Sequence, residues 1–193
     1  EGRSGDRGTN RFLSQPVIHN FRINAGNLGE LHSKAEIVSE MVREKIGNNP
    51  QSRILIFTEY RYTVNNLTES LAKIDGVKVS QFIGQSTSGK QKGMTQKEQL
   101  ARLEEFRSGD VNVLVATSVG EEGLDVPAAE LVLMYEPVPS AIRSIQRRGR
   151  TARQSSGTVK TLVAKDTRDQ FVSHAAKARE KKMYNNLADI ERQ

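Results

Sequence analysis

The chain has 193 residues, 29 lysines and arginines against 23 acidic residues, a formal net charge of +6 and no cysteine. That length suits one domain with appendages, the basic balance favours a polyanionic partner, and the missing thiols exclude a disulfide framework or a cysteine-held metal. No apolar run approaches a membrane span and no signal peptide is visible, so the expectation is a reducing cytosol or nucleus and no membrane partner.

Glu1 to Asn10 hold three glycines and no large apolar residue, which reads as linker or disordered lead-in over residues 1–15 and suggests a piece of something longer. Val17 to Ile23 alternates in part and reads as a short strand or extended lead-in. Ser33-Lys34-Ala35-Glu36 fits a capping box, and Leu31, Val38, Met41, Val42 and Ile46 then recur at helical spacing until Gly47 and Pro50. Ile54-Leu55-Ile56-Phe57 is a continuous apolar run, the pattern of a parallel strand buried on both faces. Val64, Leu67 and Leu71 predict a helix, Val77 to Ile83 a strand. Thr95-Gln96-Lys97-Glu98 is a second capping box, followed by Leu100, Leu103 and Phe106 on one helical face, with Gly109 as the stop.

Val111 to Ala116 is the strongest strand signal. Glu130 to Tyr135 is another, closed by Pro137 and Pro139. Ser140 to Arg148 reads as a short helix and Gly157 to Ala164 as a last strand. From Thr167 the pattern is helical and polar, with Phe171, Ala175, Ala178 and Tyr184 as an apolar stripe. Alternating strands and helices predict an α/β fold with a mostly parallel sheet and helices on both faces. The expected division is a domain over residues 16–165 and a helical extension over 166–193.

One motif is rejected. Gly84-Gln85-Ser86-Thr87-Ser88-Gly89-Lys90 fits seven positions of a P-loop, but Gln91 stands where a hydroxyl must ligate Mg²⁺. The next helix starts late, near Thr95, so its amino end is not aimed at the loop. No Asp-Glu dipeptide occurs in the chain, and no set of metal ligands is legible. A polar loop that touches nucleic acid through Gln85 and Lys90 is the better reading.

Two stretches carry chemistry. Gln146-Arg147-Arg148-Gly149-Arg150-Thr151-Ala152-Arg153 holds four arginines, with no acidic residue from Ser140 to Arg153. Guanidinium groups grip phosphate oxygens in pairs and keep their charge. Arg150 and Arg153 are three apart, so one turn points both the same way. The bland alternative is a solvated basic patch. The companion stretch, Ala116 to Pro127, contains Thr117, Ser118, Gly120, Gly123 and Asp125. Thr117 and Ser118, at a strand's carboxyl end, suit nucleic-acid phosphates, and Asp125 suits ribose hydroxyls. An ordinary strand-to-helix turn with Asp125 as its cap is the alternative here.

Taken together these stretches resemble a known family. Gln146 to Arg153 resembles motif VI of the superfamily 2 helicases, Q-x-x-G-R-x-G-R. Ala116 to Pro127 resembles motif V and Ile54 to Tyr60 motif IV, in the same order. The wording of Ser118 to Asp125 and of Glu136 to Ile145 is similar to the branch of archaeal Hef and the Fanconi anaemia M-type DNA translocases. The resemblance covers about Ser33 to Asp169. It implies a second, RecA-like, three-layer αβα motor domain that acts with the first RecA-like domain of the same polypeptide, which supplies the P-loop and the acidic Mg²⁺ motif. It implies ATP and Mg²⁺ as cofactors, held mainly by that first domain, and DNA, branched or duplex, as partner, with RNA left open. It further implies that Arg150 and Arg153 face the γ-phosphate, that Gln146 couples nucleotide to nucleic acid, that Gly123 and Asp125 lie near the ribose, and that Thr58, Gln85, Thr117 and Ser118 hold the nucleic-acid backbone. Ala152 stands where the family usually has glycine. The alternatives are a non-catalytic nucleic-acid-binding module, the motor domain of an RNA helicase, and a self-sufficient P-loop phosphotransferase.

Overall fold

In the computed structural model the described residues are 34–86, 92–117, 127–137 and 157–190, with residues 8, 11–12, 14–18 and 20 ahead of them. The elements are α1 (Lys34–Asn48), β1 (Ile54–Thr58), α2 (Arg61–Leu71), β2 (Val79–Phe82), α3 (Gln96–Ser108), β3 (Val113–Thr117), β4 (Leu131–Met134), β5 (Thr158–Thr161) and α4 (Arg168–Ile190). The five strands form one sheet in the order β2-β3-β1-β4-β5. Every neighbouring pair is parallel, which is the mostly parallel α/β architecture that the sequence implied.

The continuous apolar runs explain the layering. Successive side chains of a strand point to opposite faces, so β1 sends Ile54 and Ile56 to one side and Leu55 and Phe57 to the other. The first side packs against Val38, Val42 and Ile46 of α1 and Val64, Leu67 and Leu71 of α2. The second side packs against Leu103 and Phe106 of α3. Chain direction accounts for the split: β1 runs outward to β2 through α2, and β2 runs back to β3 through α3. Right-handed crossovers in opposite directions place their helices on opposite faces. The central strands β1, β3 and β4 are buried at every position.

Several local signals are realised. Thr95 caps α3: its side-chain oxygen accepts from the Glu98 amide while the Glu98 carboxylate accepts from the Thr95 amide at 2.6 Å. The bond from the Thr95 amide, and then a second one from the Thr95 hydroxyl at 2.8 Å, hold the Glu98 carboxyl below the ordinary glutamate value. Gly109 ends α3 at φ 89°, a left-handed conformation suited to glycine.

Other expectations are corrected. Leu100 faces outward, at 53% exposure, and the buried face of α3 is Gln99, Leu103 and Phe106. Residues 16–18 and residue 20 are helical rather than part of a strand; Pro16 stands at a helix start, where its fixed φ fits and its missing N–H costs nothing. The strand expected from Val111 begins at Val113, because Asn112 is spent on the loop that leads into β2. Its side chain accepts from the Lys78 amide and donates to the Gly76 carbonyl, both at 2.8 Å. The strands expected over Val77 to Ile83 and Gly157 to Ala164 shorten to β2 and β5.

The expected stripe on α4 is out of register. Phe171 is 77% exposed, and Ala175 and Ala178 are exposed as well. Among the described side chains of α4 the half-buried positions are instead 169, 170, 172, 173, 176, 180 and 183, a helical face that begins at Asp169. That carboxylate accepts from the Ala164 amide and pairs with Lys34, which opens α1. The Lys34 ammonium also donates to the Tyr135 carbonyl at 2.8 Å and lies 5.3 Å from the centre of the Tyr135 ring. Lys34 is buried, at 6% exposure, so α1, β4 and α4 meet on one desolvated cation. The expected cap at Ser33, the side chain of Tyr184 and the helix expected over Ser140 to Arg148 lie outside the described residues.

A buried cation deprived of its counter-charge is costly. Asp169→Ala should therefore lower unfolding stability by about 3 kcal/mol in urea titration. The double variant Lys34→Met/Asp169→Leu should recover much of that loss, because it leaves no orphaned charge.

Candidate nucleic-acid interface

The three central strands, buried at every position, offer polar chemistry only at their ends, and here the carboxyl ends gather it. Thr58 closes β1 and Thr117 closes β3, and the two are register partners on neighbouring strands. Both are almost fully buried. Gln85 follows β2 and is exposed. Of the residues implied for backbone contact, Thr58, Thr117 and Gln85 thus share one end of the sheet. Ser118 lies outside the described residues, as do Gly123, Asp125, Gln146, Arg150 and Arg153.

Glu136, just past β4, organises this end. Its carboxylate accepts from the Thr58 hydroxyl at 3.1 Å and from the Glu59 amide at 3.0 Å. The Thr58 oxygen in turn accepts from the Tyr60 amide at 3.3 Å. The Thr58 hydroxyl, with one proton to give, is committed to Glu136, so in this state Thr58 shapes the loop after β1 and presents no free donor. Burial pushes the Glu136 carboxyl above the ordinary glutamate range. The Glu59 amide, the Thr58 hydroxyl and the Lys34 ammonium pull the other way, and the Glu59 carboxylate adds to the rise.

Arg61 extends the connection to β2. Its guanidinium donates to the Gly84 carbonyl at 3.1 Å and to the Ser86 carbonyl. Two carbonyls turned onto an arginine do not form a phosphate cradle, and α3 begins only at Gln96 with its own cap, so the structure offers no P-loop geometry over Gly84 to Ser86. Residues 87–91, including Lys90, lie outside the described residues. The loop is clamped from its far side as well. Gln99 donates to the Ile83 carbonyl at 2.8 Å and accepts from the Gln85 amide group at 3.3 Å. The Met94 amide donates to the Gly84 carbonyl at 3.3 Å. Gly93 packs so closely that an added Cβ would stand 2.1 Å from the Gln85 carbonyl oxygen.

The result is a hydrogen-bonded belt from Lys34 through Tyr135 and Glu136 to Thr58, and from Arg61 to the loop after β2. Sequence reasoning picked out Thr58, Thr117 and Gln85 but missed Glu136, Arg61, Gln99 and Gly93. For Glu136 a signal existed: it sits at a strand's carboxyl end before a proline, the same logic that singled out Thr58. For Gln99 and Gly93 no local signal did.

Comparison with known proteins follows the same line. Residues 33–155 match the helicase conserved C-terminal domain. The Hef helicase domain of Pyrococcus furiosus superposes with a TM-score of 0.64 at 42% identity, over 89% of this chain and 35% of that one. The ATP-dependent DNA helicase mph1 of Neurospora crassa is 36% identical over 75% of this chain. The DEAD-box ATP-dependent RNA helicase FANCM of Arabidopsis thaliana is 45% identical over 61% of it. The chain spans 13% and 9% of those two relatives' lengths.

Two outcomes test the belt. For Glu136, whose folded-state affinity for a proton exceeds the ordinary one, stability is highest at low pH. It falls as pH rises from the ordinary glutamate value through the raised one. Urea midpoints measured across that interval should fall more steeply for the wild type than for Glu136→Gln, which cannot ionise. Gly93→Ala should lower stability by about 2 kcal/mol and loosen the loop after β2, read by faster amide exchange at Gln85.

Proposed function

The chain belongs to the helicase conserved C-terminal domain family of superfamily 2, and from that membership we propose that it is the second motor domain of an ATP-dependent helicase or translocase acting on branched or forked DNA. The observation that carries the reading is the family match over residues 33–155, which contains the whole arginine run Gln146 to Arg153. The likeness to Hef and mph1 supports DNA, and the belt at the carboxyl ends of β1, β2 and β4 supplies a rigid base for backbone contacts.

In this reading Thr117, Ser118 and Gln85 meet the nucleic-acid backbone, and Thr58 sets the loop that does so. Arg150 and Arg153 face the triphosphate across a cleft whose other wall is the first motor domain. Gln146 links the two ligands, and Gly123 and Asp125 lie at the ribose. The donor set fits that ligand: guanidinium groups for phosphate oxygens, a carboxylate for hydroxyls. ATP with Mg²⁺, held mainly by the first motor domain, supplies the free energy of transfer of its γ-phosphate to water. This chain contributes fixed positive charge where negative charge develops. Alone it has half of each site and is inactive.

A second reading, an RNA helicase motor domain, is favoured by the name of the Arabidopsis relative. Stimulation of ATP hydrolysis separates the two: forked DNA should exceed RNA of the same sequence.

With both motor domains present, Arg150→Ala should lower ATP turnover about a thousandfold while DNA affinity in a gel-shift titration stays near that of the wild type. A near-normal rate would remove the finger role.

A further inference from the structure

Two tyrosines stand where β1 leaves the sheet. Tyr60 is the residue before α2, with extended backbone at φ −116° and ψ 135°, and Tyr62 lies in the first turn of that helix. Their rings are stacked, with centroids 5.5 Å apart and planes inclined by 26°. They are 41% and 62% exposed. An offset aromatic pair of this kind usually stabilises a core; here it faces water.

The pair is held firmly. The Tyr60 amide donates to Thr58, which is fixed by Glu136. The Tyr60 carbonyl accepts from the Val64 amide at 3.2 Å. Arg61, between the two tyrosines in the sequence, is tied to the carbonyls of Gly84 and Ser86. Tyrosine has few rotatable bonds, so a preset ring surface loses little entropy when it is covered. The charges nearby select the occupant. Glu59, the residue before Tyr60, is exposed, and the Glu136 carboxylate accepts from its backbone amide, so a phosphate on the rings is disfavoured by two acidic groups at this strand end. The flat, uncharged face of a base is not.

We propose that Tyr60 and Tyr62 form a stacking platform for a base of an unpaired nucleic-acid strand whose backbone runs along the carboxyl ends of β1 and β3. This deepens the preceding reading and rests on it for the direction of the strand. A duplex keeps its bases stacked on one another and offers the platform none, so the contact selects single-stranded segments such as those at a fork. Every base has a π-face, so the contact is tolerant of sequence.

The test uses this 193-residue chain and a short oligo(dT) carrying 5-iododeoxyuridine, which on irradiation joins to aromatic rings that stack on it. The joined peptide, identified by mass spectrometry, should contain Tyr60 or Tyr62. Tyr60→Phe/Tyr62→Phe should keep both the cross-link and the affinity. Tyr60→Leu/Tyr62→Leu should lose the cross-link and bind the single strand about tenfold more weakly, with an unchanged thermal melt and unchanged binding of blunt duplex. Cross-links confined to other residues, unaltered affinity of the leucine variant, or an equal loss on duplex would each overturn the platform. The two proposals fail separately: no nucleic-acid-stimulated ATP turnover with both motor domains present removes the motor role and leaves the cross-link standing, whereas full turnover with no cross-link removes only the platform.

Discussion

Burial of the sheet on both faces is the constraint from which the rest follows. With β1, β3 and β4 covered along their whole length, no side chain of those strands can reach a ligand sideways. Chemistry is pushed to the positions where the strands stop, and a buried polar group there must find a partner or lose several kcal/mol in solvation. Thr58 and Glu136 find each other. Lys34 finds Asp169 and the Tyr135 carbonyl. The same rule that fills the core with Ile, Leu and Val therefore also writes the network at its edge.

That network ties together segments with different tasks. β1 leads into the loop with Tyr60 and Arg61, β2 into the loop with Gln85, and β4 through Glu136 and Pro137 toward the arginine run. A single carboxylate bonded to two groups at the end of β1 ties the exits of β1 and β4 to each other. In the proposed motor role, where nucleotide must be related to strand position, such a connection would have an evident use.

Much of this was legible in the sequence, and the reason is local. Ile54 to Phe57 and Val113 to Ala116 declare themselves through unbroken apolar runs, the α3 cap through Thr95 and Glu98, its end through Gly109. The P-loop pattern at Gly84 fails in the sequence at one position, Gln91, and α3 starts at Gln96 after its own cap. The errors are equally instructive. Hydrophobicity alone places Leu100 on the buried face, but Gln99 occupies it, with its amide satisfying the Ile83 carbonyl. Phe171 was assigned to a buried stripe, but the ion pair of Asp169 rotates that face outward. Glu136 reaches Thr58 across 78 residues and Lys34 reaches Asp169 across 135; pairings at such separations leave no periodic trace in the chain.

The Lys34 pair has a consequence for how the molecule meets its medium. Mobile ions screen charges that face water and hardly touch those sealed from it. The attachment of α4 through Lys34 therefore belongs to the insensitive kind, while the exposed pairs Arg102–Glu105 and Arg107–Glu104 on α3 belong to the other. A polyanion held by surface cations is released by concentrated electrolyte. Concentrated electrolyte would thus loosen a polyanion of the proposed kind while leaving the Lys34 anchor of the scaffold in place.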